Sequence, residues 1–218
     1  MATQAHEGAV RLRQTTRADA AAREDLRLSG VALFVLAAQF MTVIMLAASI
    51  APGYDFGAAA ISDLGVLPET ALLFNISLIA VGALSILGGY LFYRSHRTAW
   101  VLALYVIAGI GAAGAGAIPL GTSGLHSVFA LVAFLFFNLL AVATGTLLGG
   151  PMRWISFLAG LVGFVFVVLM VIGDAGNPAA FGAIGHGGTE RMIVYPVMLW
   201  MLAFGGYLLA GPAADATD

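Results

Sequence analysis

The chain has 218 residues, of which 61% are hydrophobic and 9% charged; its mean hydropathy is +1.00 and its net charge −2. Soluble domains carry about 25% charged residues, so this composition excludes a water-facing globule and makes lipid the natural solvent. The charge balance argues against a nucleic-acid partner, and the absence of Cys excludes disulfides and thiolate metal sites.

Residues 1–28 form a separate compositional zone. The run VRLRQTTRADAAAREDLRLS mixes Arg, Asp and Glu with Ala and offers few large apolar side chains. It reads as a polar cytoplasmic tail, disordered or marginally helical, with an interfacial amphipathic helix as the alternative. Its long polar lead and the length of the apolar run behind it are unlike a cleaved signal.

A helix needs about 20 apolar residues to cross a hydrocarbon core roughly 30 Å thick. Six stretches meet that length, so residues 29–211 are expected to form an all-α, polytopic bundle of six transmembrane helices. The spans run from about Gly30 to Ile50, Thr70 to Tyr93, Ala99 to Leu120, Leu125 to Leu148, Trp154 to Gly173 and Arg191 to Ala210. Breakers separate them: Pro52-Gly53, Pro119 with Gly121, Gly149-Gly150-Pro151, Gly176-Asn177-Pro178, and Gly211-Pro212 before a short tail, 212–218. Pro68 and Glu69 suit the first turn of the second span. Glycine is frequent, at 28 residues, as expected where helix backbones pack closely in a membrane.

Orientation follows from arginine. All nine basic residues are Arg. Six spans put Arg11, Arg13, Arg17, Arg23, Arg27, Arg94, Arg97 and Arg153 at one end of the bundle and only Arg191 at the other. Cytoplasmic loops hold the excess of basic residues, so both termini are expected in the cytoplasm of a multi-pass cell-membrane protein. Tyr93, Trp100 and Trp154 fall at that boundary, as aromatic belts do.

Ionisable residues outside the tails and basic loops gather at the opposite end. Three segments feed this cluster: Tyr54-Asp55 with Ile61-Ser62-Asp63-Leu64-Gly65; Pro119 through Gly121-Thr122-Ser123-Gly124 to His126; and His186-Gly187-Gly188-Thr189-Glu190-Arg191 with Tyr195 a turn deeper. The candidate site is therefore Ser62, Asp63, His126, His186, Glu190, Arg191 and Tyr195. A charge at the hydrocarbon boundary is costly unless paired or hydrated, so Asp63 and Glu190 are expected to meet Arg191 or a protonated His.

Each residue also has a plainer role. Ser62 or Asp63 can cap a short helix. Thr189 and Glu190 suit the cap and first turn of the sixth helix, and Thr122 or Ser123 can cap the fourth. His126 can bond a loop carbonyl, His186 can be solvated, and Arg191 can snorkel to headgroups. Two sharper roles compete with these. His126, His186, Asp63 and Glu190 are possible metal ligands by type, but no HExxH or short His pair supports a metal, and none is assigned. Ser62 could act as a nucleophile with His126 or His186 as base, though nothing like GxSxG surrounds it.

Within the spans the polar residues are uncharged: Gln39, Thr42, Asn75, Ser77, Ser85, Asn138, Thr144 and Thr146. Ion and proton pathways expose ionisable groups at mid-depth, which disfavours a pump or coupled transporter. Gln39 and Thr42 share a face and are expected to bond a neighbouring helix. Gly109/Ala113 and Ala112/Gly116 form small-xxx-small pairs on the third span.

Tyr54-Asp55 followed by Ile61-Ser62-Asp63-Leu64-Gly65, Pro68 and Phe74-Asn75 resembles the prokaryotic membrane family filed as domain of unknown function 998. So do Pro119 to His126 running into Phe129-Ala130 and Phe134, and the late Glu190-Arg191 with Tyr195-Pro196. The resemblance covers about Leu28 to Ala210. That family is similar in turn to eukaryotic six-span proteins with an Ile-Ser-Asp motif, which act in GPI-anchor remodelling and autophagy modulation. The resemblance implies a six-helix fold and a lipid-related setting, and no established reaction. Ser62, Asp63 and His126 carry over from both groups; Glu190, Arg191 and Tyr195 match only the prokaryotic pattern.

The leading expectation is a protein that binds or handles lipid headgroups at the outer membrane boundary. A membrane-embedded lipid hydrolase, metal- or Ser-dependent, is one alternative; a non-enzymatic scaffold or assembly subunit is another. The sequence names no cofactor and no protein partner, and membrane lipids are the partner its composition implies. Because the chain lacks Cys, single cysteines report topology directly. A cysteine in the N-terminal segment and Glu69→Cys should react with an impermeant maleimide from opposite sides of the membrane; labelling from one side refutes the threading.

Overall fold

A computed structural model describes the backbone of residues 2–211 and the side chains from residue 19 onward. The expected tail at 212–218 lies outside the described residues. Six long helices carry the chain: α1 (Ala2–Ile50), α2 (Ala71–His96), α3 (Ala99–Ala117), α4 (Leu125–Leu147), α5 (Gly150–Asp174) and α6 (Gly185–Ala210). Two 3-10 helices, Ile61–Gly65 and Pro178–Ile184, occupy the connections ahead of α2 and α6. No strand occurs among the described residues.

All six helices contain a stretch long and apolar enough to cross a membrane. Helix is the form such segments must take, because lipid offers no partner for an unpaired peptide group. Leu72, Leu158 and Leu161 stand 76%, 64% and 61% exposed on the outside of the bundle; only hydrocarbon accommodates such a surface without cost. The protein is an integral, multi-pass membrane protein, and the all-α six-span architecture expected from the sequence is the one found.

Each helix packs on its neighbours in sequence, and α6 closes on α1, so the helices form a ring in chain order. Large side chains fill the interior, among them Phe40, Phe74, Tyr105, Leu140, Trp200 and Phe204. Polar residues tie the ring where the sequence placed them. Ser77 Oγ donates to Gln39 Oε1 at 2.7 Å, joining α1 to α2. Thr42, expected to do the same, is exposed and bonds its own helix at Ala38 O. Asn138 Nδ2 donates to Ile193 O at 3.2 Å, joining α4 to α6.

The helix ends add detail to the sequence reading, and at α2 and α6 they depart from it. The backbone of α1 is helical from Ala2, through the segment read as a tail, and its later residues touch the bundle. Asp25 pairs with Arg94 at 3.1 Å, and Ser29 Oγ donates to Gly88 O. Pro68 and Glu69 precede α2, which opens after Thr70; the Thr70 hydroxyl turns back to Leu64 O at 2.7 Å. Helix α6 begins at Gly185, so Thr189 lies inside it and bonds Gly185 O instead of capping the start. The free N–H groups of Gly187 and Gly188 are met by the Gly57 carbonyl, at 2.9 and 3.4 Å. A side chain on Gly187 would collide with Ala59 O, so glycine lets the first loop lie directly on the opening turns of α6.

Gly109, Gly111 and Gly116 of α3 are used inside the bundle, while Ala113, Gly114 and Ala117 line an open groove. A Cβ on Gly82 or Gly109 would strike the other's carbonyl, and one on Gly111 would meet the α4 backbone at Ala133. On α5, Gly163 lies directly beneath the Asn138 amide. Gly163→Ala should therefore lower stability by roughly 1–3 kcal/mol, as overpacking does. Gly206→Ala, where nothing lies within 4 Å, should be neutral or gain up to about 1 kcal/mol from helix propensity. Thermal unfolding in detergent compares the two.

Candidate functional site

The first loop is folded by its own carboxylates. Asp55 Oδ1 accepts from Gly57 N at 2.8 Å and from Ala58 N at 3.4 Å, an Asx turn. Asp63 Oδ2 reaches back to Ala60 N at 2.8 Å, closing the start of the Ile61–Gly65 helix. Asp63 is thus occupied with its own loop, in the capping role the sequence allowed.

Glu190, in the second turn of α6 and 4% exposed, receives the next two donors of that loop. Its Oε2 accepts from Ile61 N, and its Oε1 accepts from Ser62 Oγ at 2.9 Å. A side chain 128 positions away in sequence thereby fixes the Ser62 hydroxyl.

Arg191 points elsewhere. Nη1 donates to the carbonyls of Phe56 (2.7 Å), Ala59 (3.0 Å) and Gly187 (2.8 Å), and Nη2 donates to Tyr54 Oη at 2.7 Å. The guanidinium also lies over the Phe56 ring, 4.7 Å from its centroid. The expected carboxylate–Arg191 pair does not form: both carboxylates bond the first loop, and the arginine binds that loop's carbonyls. Neither does Arg191 snorkel outward, since it is 7% exposed. Tyr54 Oη in turn donates to Ala60 O at 2.6 Å.

His126, in the first turn of α4 and 3% exposed, is held against the end of α3. Its Nδ1 lies 2.8 Å from Ile118 O and 3.1 Å from Ala115 O. The carbonyl contact foreseen for this residue is present, and Nε2 is left buried with no hydrogen-bond partner. His186 Nε2 meets Asp174 Oδ1 at 3.2 Å, its ring edge-on to Phe181.

Two spaces converge on these groups. A narrow cavity of about 50 Å³ lies inside the ring, walled by apolar residues such as Phe74, Phe137 and Val194, with Ser62, His126, Asn138 and Glu190 as its polar members. About 15 Å³ suffices for one water, so a few water-sized groups fit. A groove of about 560 Å³ runs between α4 and α5, past Leu131, Phe134 and Val171, and holds Asp174 and His186 as well. Ser62, His126, Ala130, Phe134 and Glu190 line both.

Of the seven expected site residues, the fold brings Ser62, His126, Glu190 and His186 to one junction. Asp63 and Arg191 hold the loop, and Tyr195 is half-buried against the core. Among the described residues no three of His, Asp and Glu gather as a metal site. Nor do the described residues form a Ser–His–acid relay: Ser62 bonds Glu190, His126 is oriented by carbonyls, and the His186–Asp174 pair makes no hydrogen bond to Ser62. Asn138 and Asp174 were absent from the expected site. Asn138 had a signal, as a polar residue deep in an apolar span; Asp174 had only its place at the end of the fifth span.

A family model described as "Protein of unknown function (DUF998)" matches residues 30–207. The chain belongs to the DUF998 family. No curated protein matches the chain, and no solved structure matches it. The likeness to eukaryotic six-span proteins gains no support from these comparisons. The DUF998 match takes in every residue of the junction and the whole Arg191 clamp, while Asp25 and Ser29 fall before it.

Burial pushes the Tyr54 phenol from its ordinary 10.0 up to about 12, and the facing Arg191 guanidinium opposes part of that rise. The folded chain therefore holds this proton more tightly than the unfolded chain. The resulting stability is complete below pH 10 and is lost as pH climbs through about 12. Thermal unfolding followed across that window should fall more steeply for the wild type than for Tyr54→Phe. Equal slopes would show that the phenol proton does not contribute.

Proposed function

We propose that this DUF998 protein binds an amphiphile from the surrounding bilayer, seating its headgroup at the Ser62–His126–Glu190 junction and its apolar part in the α4/α5 groove. The observation that carries this reading is the shared lining: the same three polar side chains border both a buried cavity and a groove at the bundle's outer face. The edges of that groove, Leu131 and Val171, are exposed where hydrocarbon would lie. Ligand sites are mostly apolar, with a few placed polar groups, and this junction has that composition.

The arginine distribution favours a cell-membrane orientation with both termini in the cytoplasm and the junction at the outer leaflet. A hydrolase is less well supported, because Ser62 donates to a carboxylate, His126 lacks the acid partner a relay needs, and His186, though paired with Asp174, makes no hydrogen bond to Ser62. A scaffold role draws only on the shallow apolar groove that Ala113, Gly114 and Ala117 leave open between α2 and α4; Gly109, Gly111 and Gly116 are taken up by the neighbouring helices.

Ala130 lines both spaces and is the place to block them. Ala130→Phe should remove co-purifying lipid in native mass spectrometry while the thermal transition is retained. A folded Ala130→Phe protein carrying the wild-type lipids in wild-type amounts would sink the reading.

A further inference from the structure

The chemistry of the junction also selects the headgroup, an inference that rests on the groove being an amphiphile site. His126 Nδ1 contacts two carbonyl oxygens, which can only accept. Nδ1 therefore carries the ring proton and donates. Across the ring, Nε2 is the nitrogen left to accept in that tautomer, and it is buried without a partner. Glu190 takes one hydrogen bond on each oxygen and retains further lone pairs. The Ser62 proton is committed to Glu190, so what Ser62 still offers is a lone pair. No ion pair to Glu190 occurs among the described residues. The one arginine nearby is directed at Phe56, Ala59, Gly187 and Tyr54.

The inner cavity is thus lined by acceptors, His126 Nε2, Asn138 Oδ1, the Ser62 hydroxyl oxygen and the Glu190 carboxyl group, while the His186 imidazole is turned to Asp174. A buried carboxylate is costly until a cation or donors meet it. An anionic headgroup tip would add like charge, and a quaternary ammonium would bring charge without an N–H. A primary ammonium brings both, with three N–H groups for His126 Nε2, Ser62 Oγ and Glu190. We propose that the junction binds the primary ammonium of an amphiphile's headgroup, as in an aminophospholipid, with Glu190 as counter-charge and His126 Nε2 as the orienting acceptor. The tip of such a headgroup suits the small inner cavity, and its chains suit the groove.

The test uses purified full-length protein in mild detergent, offered phosphatidylethanolamine, phosphatidylcholine and phosphatidylglycerol with matched acyl chains. Native mass spectrometry reads the lipid retained. A charge-assisted hydrogen bond lost to the wrong headgroup predicts retention of phosphatidylethanolamine at least about tenfold above the other two. Glu190→Gln should bind lipid with that preference abolished; if this variant does not fold, the wild-type comparison decides alone. Equal retention of all three lipids by the wild type, with all lost in Ala130→Phe, overturns the ammonium assignment while the groove reading stands. Lipid retention indifferent to a folded Ala130→Phe overturns the groove reading, and the ammonium assignment with it.

Discussion

The site end of this protein depends on how two adjacent charges, Glu190 and Arg191, bond the backbone of a distant loop. Glu190 accepts from Ile61 N–H and Ser62 hydroxyl; Arg191 donates to the Phe56 and Ala59 carbonyls. Each satisfies peptide or hydroxyl groups that would otherwise be stranded near the hydrocarbon boundary, where unpaired polar groups are expensive. Together they pin the first loop onto α6 and close the ring at that end. Breaking either contact leaves both a buried charge and orphaned backbone, so the loop and the opening turns of α6 form one unit.

Glycine makes this unit possible. Gly187 admits the carbonyl of Ala59 where a side chain would exclude it, and Gly57 supplies the acceptor for the first N–H groups of α6. The same device recurs deeper, where Gly82 and Gly109 bring α2 and α3 together and Gly163 receives the Asn138 amide. In lipid, where burying apolar area gains little between helices, such close approach supplies the packing. The tightly packed ring contrasts with the junction, where His126 Nε2 has no partner and a cavity and a groove meet. Buried polar atoms without partners that also line a cavity, here His126 Nε2 and Asn138 Oδ1, mark a place where a ligand completes the bonding.

Most of the fold was legible in the sequence. Long apolar runs broken by Pro and Gly specified six helices, because backbone hydrogen bonding in lipid leaves few alternatives. The boundaries erred where local chemistry was overruled by contact. His186-Gly187-Gly188 reads as a loop, yet it is helical because Gly57 caps it and the first loop covers it. Thr189 reads as a cap and is instead one turn inside the helix. Part of the site was legible as well, since Ser62, His126 and Glu190 stood out as polar residues beside apolar spans. Their division of labour was not: Asp63 and Ser62 are neighbours, yet one closes its own turn while the other faces the cavity.

The sequence by itself determined the solvent, the number of spans, and the end of the bundle at which the ionisable residues gather. These follow from hydrophobicity and chain order, which are local properties. Only the tertiary structure decided that Glu190 meets Ser62 and not Arg191, that His126 keeps a bare nitrogen, and that a groove between α4 and α5 reaches them. Those outcomes depend on side-chain direction at contacts that range from a single turn, as at His126, to 128 positions, as between Ser62 and Glu190, and no spacing along the chain encodes such directions.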